Sequence, residues 1–482
     1  MPEFRAAALP AVAETTPAPR QAVGQKPVDD TERARTEAPR PAQTPVEPAA
    51  DSAADPVSTE AEATPLQRLD FPRDGVPPVI VDQQGLAEMI AALAAGTGPI
   101  AVDAERASGH RYGQRAFLVQ IRREGAGTAL IDPVELPDLS ELNDAIAGVE
   151  WVLHAASQDL PCLSEVGLHP TILFDTELGG RLAGYPRVGL AAMVEELLGL
   201  SLAKEHSAVD WSTRPLPEPW LRYAALDVEV LTDLRDAVAA ELEQQGKLAW
   251  AEEEFAAVAA APPPPPRVDP WRRTSGMHRV RDRRRLAGVR ELWMARDAVA
   301  RQRDLSPGRI LPDSAIVEAA LAMPTSMTAL TALSAFSGRG ARRHTRQWLD
   351  ALDAARALPE ADLPLQHLPA DGPPPPRVWA ERDPAAAARL AAARAAITEL
   401  ARSRDLPVEN LLSPDSVRRL CWIPPEPLSP ESVELALRGF GARSWQIELA
   451  AGVLVEALQT AAAVAAAATA ATAGLDDEDG EA

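Results

Sequence analysis

The chain has 482 residues, with 48 Lys and Arg against 70 Asp and Glu, a formal net charge of −22. That length holds about three domains of ~100–200 residues each. The acidic balance excludes a chain that grips nucleic-acid backbone over its whole surface and leaves that work to local basic patches. Two cysteines, Cys162 and Cys421, exclude a disulfide scaffold and a cysteine-based zinc site.

In chain order, residues 1–66 hold eleven prolines and no Trp, Tyr or Ile. Such a stretch cannot offset its ordering entropy by burial, so disorder is expected there. The first ten residues include Glu3 and Arg5 and lead into no apolar core, so no secretory signal is expected. Residues 67–261 read as an α/β domain. Strand candidates lie at 79–81, 99–103, 117–122, 129–132 and 151–154, with a helix at 84–95 and helical patterns thereafter.

Five prolines at 262–266 open a proline-rich, basic linker over 262–280, and a second proline run at 373–376 lies in a linker over 366–383. The segments 281–365 and 384–465 are helical only. They share a repeat: Ala300-Arg-Gln-Arg-Asp-Leu-Ser returns as Ala401-Arg-Ser-Arg-Asp-Leu-Pro, and Pro-Asp-Ser follows at 312–314 and 414–416. A duplicated helical module is expected. The alanine-rich stretch 452–474 carries Glu456 and Gln459 and buries too little apolar area to favour a bilayer span. A soluble helix, a cytoplasmic location and no membrane partner are expected, with an Ala-rich to acidic tail over 466–482.

Three places concentrate acids. In Ile100-Ala-Val-Asp-Ala-Glu, strand alternation points Asp103 and Glu105 to one side, which calls either for a cation between them or for a strand end in solvent. Asp159 closes His154-Ala-Ala-Ser-Gln-Asp just past a strand, where α/β sites gather, or else it caps the next helix. In Tyr223-Ala-Ala-Leu-Asp227 the i, i+4 spacing sets both side chains on one helix face. Four acids and a tyrosine in one α/β domain fit a two-cation phosphodiester hydrolase, with hard oxygen ligands selecting Mg²⁺ or Mn²⁺ and the phenol aiming water.

The order Asp-x-Glu, His-x-x-x-x-Asp, Tyr-x-x-x-Asp resembles the three motifs of DEDD-superfamily exonucleases of the tyrosine subtype. Leu130-Ile-Asp-Pro, Phe174-Asp-Thr-Glu, Met193-Val-Glu-Glu and Asp210-Trp-Ser-Thr-Arg-Pro-Leu look like ribonuclease D, and the helical modules look like its HRDC domains in two copies. The resemblance spans about 71–458. It implies a ribonuclease-H-like exonuclease fold followed by two all-α domains, two divalent cations, and removal of nucleotides from RNA 3′ ends, tRNA precursors being the family substrate. It places Asp103 as the ligand of both cations, Glu105 and Asp227 on the catalytic one and Asp159 on the second, with Tyr223 beside the water.

Family members often carry an aromatic residue after the first-motif Glu, where this chain has Arg106. Strand alternation points Arg106 away from Glu105. Phe117, Tyr112 and His110 are nearby substitutes for stacking on a base, or else ordinary packing. His154 is a candidate near the scissile phosphate or a supporting histidine, Lys204 a flexible phosphate contact, Asp175 a structural cap, and Cys162 a buried hydrophobe.

RNA binding is expected from the basic segment 267–309, which holds thirteen Arg against five acids, and from a cluster around His344. Arg283, Arg284, Arg285, Arg342 and Arg343 are the named phosphate contacts, the alternative being a solvated helix start. No Gly-x-x-x-x-Gly-Lys-[Ser/Thr] loop accompanies the helical modules in this sequence, so a helicase motor is not expected with them. The leading function is a metal-dependent 3′→5′ exoribonuclease releasing nucleoside 5′-monophosphates. The alternatives are a DNA 3′→5′ exonuclease and a catalytically silent RNA-binding protein. No stable protein partner is inferable.

Overall fold

The computed structural model describes residues 66–202, 208–263, 265–336, 338–368 and 372–478. Nearly all of the 1–66 segment, and Lys204, lie outside the described residues.

The first domain is built on eight strands: β1 (Gln67–Leu69), β2 (Val79–Ile80), β3 (Thr97–Arg106), β4 (Ala116–Glu124), β5 (Gly127–Ile131), β6 (Glu150–Leu153), β7 (Ile172–Asp175) and β8 (Leu200–Leu202). Six form one sheet in the order β2-β5-β4-β3-β6-β7, while β1 and β8 pair separately. β3, β4 and β5 run antiparallel, and β6 and β7 extend the sheet in parallel with β3. Its helices are α1 (Gln83–Ala95), α2 (Ser140–Ala145), α3 (Leu160–Glu165), α4 (Thr176–Leu182), α5 (Leu190–Leu198), α6 (Glu218–Glu229), α7 (Leu231–Gln244) and α8 (Leu248–Ala259).

β7 and β8 correct the sequence reading, which gave that stretch to helices, and β1 is a strand where no element was expected. In β7, Leu173, Phe174 and Asp175 are all buried, so the polar–apolar alternation that marks a one-sided strand is missing. Alternation does set the two faces of β3. Ile100, Val102 and Ala104 enter the main core with Leu86 and Leu93 of α1. Ala101 packs on the opposite face against Val228 and Leu231 of α6 and α7. Asp103 and Glu105 share that second face.

The first helical module contains α9 (Arg283–Arg303), α10 (Pro307–Ile310), α11 (Asp313–Ala322), α12 (Met327–Thr331), α13 (Arg339–Arg343) and α14 (Thr345–Ala357). The second contains α15 (Trp379–Arg382), α16 (Pro384–Ser403), α17 (Val408–Leu411), α18 (Pro414–Trp422), α19 (Pro430–Gly439) and α20 (Ser444–Glu478). Side-chain caps start the long helices: Asp282 accepts from Arg285 N at 2.8 Å, and Asp383 from Ala386 N at 2.8 Å. Both proline-rich stretches end in a buried tryptophan. Trp271 joins the core of the first module and Trp379 that of the second, so each packed body begins before its first long helix.

The two modules sit differently on the exonuclease-like domain. The second shares one continuous apolar core with it, and Trp250 stacks on Trp445 with ring centroids 5.1 Å apart. The first has its own core, against which Tyr112 of the α/β domain packs, and the contact is otherwise polar: Arg115–Asp304 at 2.8 Å, Ser306 N to His110 O at 3.0 Å, and the Tyr112 hydroxyl to Asp297 at 3.1 Å. The repeated sequence explains itself here. Asp304 and Asp405 both take φ of +48°, Leu305 N and Leu406 N each bond the Ala carbonyl five residues back at 3.0 Å, and both turns face the first domain. Lys247 Nζ donates to Asp405 O at 3.3 Å and to Leu182 O at 2.9 Å.

By length and composition alone, Ser444–Val464 could cross a membrane. In the fold that helix buries Trp445, Ile447, Ala450, Leu454 and Leu458 in the shared core.

Candidate active site

β3 delivers Asp103 and Glu105 to the face covered by α6, and α6 lays Asp227 across them. Ala224, Ala225 and Val228 are buried against the sheet, which fixes the rotation of α6 and turns Tyr223 and Asp227 toward β3. One carboxylate oxygen from each of Asp103, Glu105 and Asp227 lies within 4.8 Å of the others. The Tyr223 hydroxyl hydrogen-bonds the Asp227 carboxylate, and Tyr223 packs against Trp211 with centroids 6.5 Å apart. Asp103, Glu105, Arg106, His154, Asp159, Tyr223 and Asp227 line one depression, floored by Ala104, Leu190 and Leu231.

Asp159 reaches the site from the other side. A 3-10 turn at Ala156–Gln158 follows β6, entered through Ala155 at φ +60°. That left-handed alanine is held by buried Asp175, whose carboxylate accepts from Ala155 N at 3.0 Å and Ala156 N at 2.9 Å while capping α4 through Glu177 N and Leu178 N. Asp175 therefore shapes the loop that aims Asp159, a role wider than the helix cap expected of it. Asp159 itself makes no side-chain cap, although α3 begins there. Its carboxylate pairs with Arg106 Nη2 at 3.2 Å.

That pair corrects the expectation for Arg106. The β3–β4 register slips here because Phe117 is an extra residue on β4, and β3 itself runs unbroken; Arg106 is the last residue of β3, and its long side chain reaches Asp159 from the strand end.

Burial sets the electrostatics. It pushes the Glu105 carboxyl up to about 10, with Asp103, Asp227 and Asp159 adding repulsion. Asp159 is pushed up to about 8, chiefly by burial and Asp103, with Arg106 pulling the other way. Asp103 and Asp227 are raised by the same desolvation, and the Tyr223 phenol is held well above its ordinary value. Four crowded carboxyls that resist ionising together are a donor set suited to hard divalent cations.

His154 lines the depression, but its Nδ1 lies 2.9 Å from the Thr176 hydroxyl, which donates to Leu153 O. Burial takes its pKa down to about 4, so the ring is neutral at pH 7. Cys162 is buried under Asp159, its thiol donating to Asp159 O at 3.1 Å. Sequence reasoning missed Gln120. It stands directly across β4 from Asp103, fully buried, with neither carboxamide atom partnered among the described residues. It also missed Arg214, which clamps Asp132 through two bonds at 2.6 and 2.8 Å and reaches Phe117 O, fastening the 210–216 segment to the sheet.

Several expected RNA contacts are engaged inside the protein. Phe117 is buried in a core cluster with Arg115 over its ring, so it offers no face to a base. Tyr112 and His110 hold the first helical module. Arg283 bonds Leu363 O and Pro364 O, Arg284 bonds Ala355 O, Arg356 O and Leu358 O, Arg285 pairs with Asp282, and Arg342 bonds Phe336 O. The carbonyls at the end of α14 have no helical partners, and the Arg284 fork satisfies those of Ala355 and Arg356. Arg343 remains exposed.

Residues 78–243 match the family described as 3′-5′ exonuclease, residues 285–352 the HRDC domain, and residues 372–458 the 3′ to 5′ exonuclease C-terminal domain. The ribonuclease D of Gluconacetobacter diazotrophicus is 31% identical over 340 residues, covering 69% of this chain and 82% of that one. That of Acidiphilium cryptum is 30% identical over 352 residues, covering 71% and 88%. The chain belongs to the ribonuclease D family. As a ribonuclease D-like enzyme it is a 3′→5′ exoribonuclease with an α/β exonuclease domain followed by a helical HRDC region. The crystal structure of Escherichia coli RNase D, described as an exoribonuclease involved in structured RNA processing, superposes with a TM-score of 0.58 at 30% identity, covering 80% of this chain and 98% of that one. A protein from Bifidobacterium adolescentis superposes with a TM-score of 0.74 at 38% identity, covering 82% of this chain and all of that one.

Proposed function

We propose that this enzyme trims tRNA precursors in the cytoplasm from their 3′ ends, one nucleoside 5′-monophosphate at a time, with two divalent cations, Mg²⁺ or Mn²⁺. The observation that carries the reading is the meeting of Asp103, Glu105 and Asp227 within 4.8 Å, from a strand and a helix more than a hundred residues apart in the chain. These three would hold one cation, and Asp103 with Asp159 a second. Bound there, divalent cations supply an activated water and charge stabilisation for the leaving oxygen.

The chain's own residues do the rest. Tyr223, anchored to Asp227, offers its hydroxyl to aim the attacking water. The second helical segment, 384–465, reads as a second HRDC-like module because its first turn repeats that of the first: Asp405 matches Asp304 in φ and in its bond back to the alanine.

Digesting 3′-labelled tRNA precursor and matched single-stranded DNA side by side, in Mg²⁺, in Mn²⁺ and in chelator, tests the proposal. Stepwise release of 5′-monophosphates from the RNA alone, abolished by chelator, is expected. Equal cleavage of the DNA would move the reading to a DNA exonuclease, and hydrolysis in chelator would remove the cations from it.

A further inference from the structure

The Arg106–Asp159 pair puts a fixed positive charge inside a site read as holding cations. Two features make it more than a surface salt bridge. From the end of β3 the Arg106 guanidinium lies in the depression lined by the acids, 3.2 Å from Asp159, and the two side chains are only 26% and 8% exposed. Asp159 spends its carboxylate on this pair instead of capping α3, and it stands outside the trio whose oxygens converge. Arg106 also lines a neighbouring depression with Ser108, Gly109 and His110, so its guanidinium has a second place to go.

Charge balance indicates what moves it. Four ionised carboxylates match two divalent cations, which leaves the guanidinium as one surplus positive charge. A phosphodiester carries one negative charge, and a planar guanidinium fork matches its oxygens. We propose that Arg106 is a built-in counter-cation: it occupies Asp159 while the site waits, then exchanges that carboxylate for a phosphate oxygen of the RNA and frees Asp159 for the second divalent cation. Arg106 is therefore a substrate-contacting residue that makes substrate and second cation bind together. The inference rests on the two-cation reading above.

Mn²⁺ binding to the full-length protein, counted from the electron-spin signal of free Mn²⁺, tests this with and without adenosine 5′-monophosphate. In the wild type, the monophosphate should tighten the weaker Mn²⁺ site by about tenfold or more, since both ligands favour the same released state. In Arg106→Gln the weaker site should already be tight, the monophosphate should add less than about twofold, and the stronger site should not change. Arg106→Met, with a melting curve for each variant, provides a second neutral side chain should the glutamine disturb the strand. An unchanged weaker site with its coupling intact would overturn the proposal. So would equal tightening of both sites, which marks a long-range charge effect and no exchange. Failure of the underlying reading looks different: the wild type would bind no Mn²⁺, or hydrolysis would persist in chelator.

Discussion

The Tyr223 hydroxyl and the Asp227 carboxylate are joined by a hydrogen bond one turn apart on α6, which ties the hydroxyl proposed to aim water to a proposed cation ligand. Tyr223→Phe keeps the ring against Trp211 and removes only this hydroxyl. Single-turnover rates should fall by roughly ten- to a hundredfold while RNA affinity changes less than about twofold. An equal loss in affinity would make Tyr223 a substrate-binding residue.

Asp103→Asn should lower activity by at least about a hundredfold, as loss of a direct ligand should exceed the effect of supporting partners. The same change should raise the melting temperature of the cation-free protein by ~2–4 °C, because one of four crowded carboxyls becomes neutral. Near-wild-type activity in Mg²⁺ would remove Asp103 from the site.

Stability should depend on pH in a direction opposite to most salt-bridged acids. Glu105 and Asp159 are raised to about 10 and about 8, so the folded cation-free protein binds more protons than the unfolded chain above about pH 4. Stability therefore falls as pH rises through that interval, from about 5 to about 9. Saturating Mg²⁺ should flatten the decline by favouring the ionised carboxylates. Melting curves across this range with and without Mg²⁺ check it, and a rise with pH in the chelated protein would contradict it.

RNA contact by the basic segment should come from its exposed arginines. Arg267, Arg273, Arg279, Arg281 and Arg303 are exposed, whereas Arg284 binds carbonyls at the end of α14 and Arg283 binds Leu363 O and Pro364 O farther along. Replacing the five by Gln in the full-length chain should flatten the slope of log affinity against log salt by roughly 0.7–0.9 for each phosphate no longer neutralised. Arg283→Gln with Arg284→Gln should lower the melting temperature and leave the slope nearly unchanged. Identical slopes in all three proteins would place RNA binding elsewhere. Cutting the chain after Ala261 is a poorer test, because it would strip the core shared by Trp250 and Trp445.

Docking of the second module can be tested at Gly184. Its φ is +88°, and a Cβ there would meet Asp405 O at 2.9 Å. Gly184→Ala should destabilise the protein by about 1–3 kcal/mol through backbone strain and displacement of the Asp405 turn. A melting temperature equal to the wild type would show that the interface yields at no cost.

The five candidate active-site residues were legible because period-2 and period-3.6 spacing act locally. Asp103 with Glu105, and Tyr223 with Asp227, share faces whatever the rest of the chain does. The RNA-contact residues were not legible. A run of arginines has the same sequence whether its forks face solvent or the open carbonyls of another helix, and Arg284 shows the second outcome. Phe117 failed for a related reason: closeness in sequence to the first motif says nothing about which side of the sheet a ring enters.

By itself, then, the sequence determined the order of an α/β domain and two helical segments, the acids and tyrosine of the candidate site, and the repeated turn at Asp304 and Asp405. These follow from spacing, capping and composition, all of which operate within a few residues. Tertiary structure alone decided that Asp175 holds the loop behind Asp159, that one helical module shares the exonuclease core while the other is held mainly by polar contacts, and that Arg106 turns inward. The last is the clearest case. Arg106 stands at the end of β3, and its guanidinium meets Asp159 only because the turn after β6 carries that carboxylate to the strand end, a pairing between distant segments that local sequence does not encode.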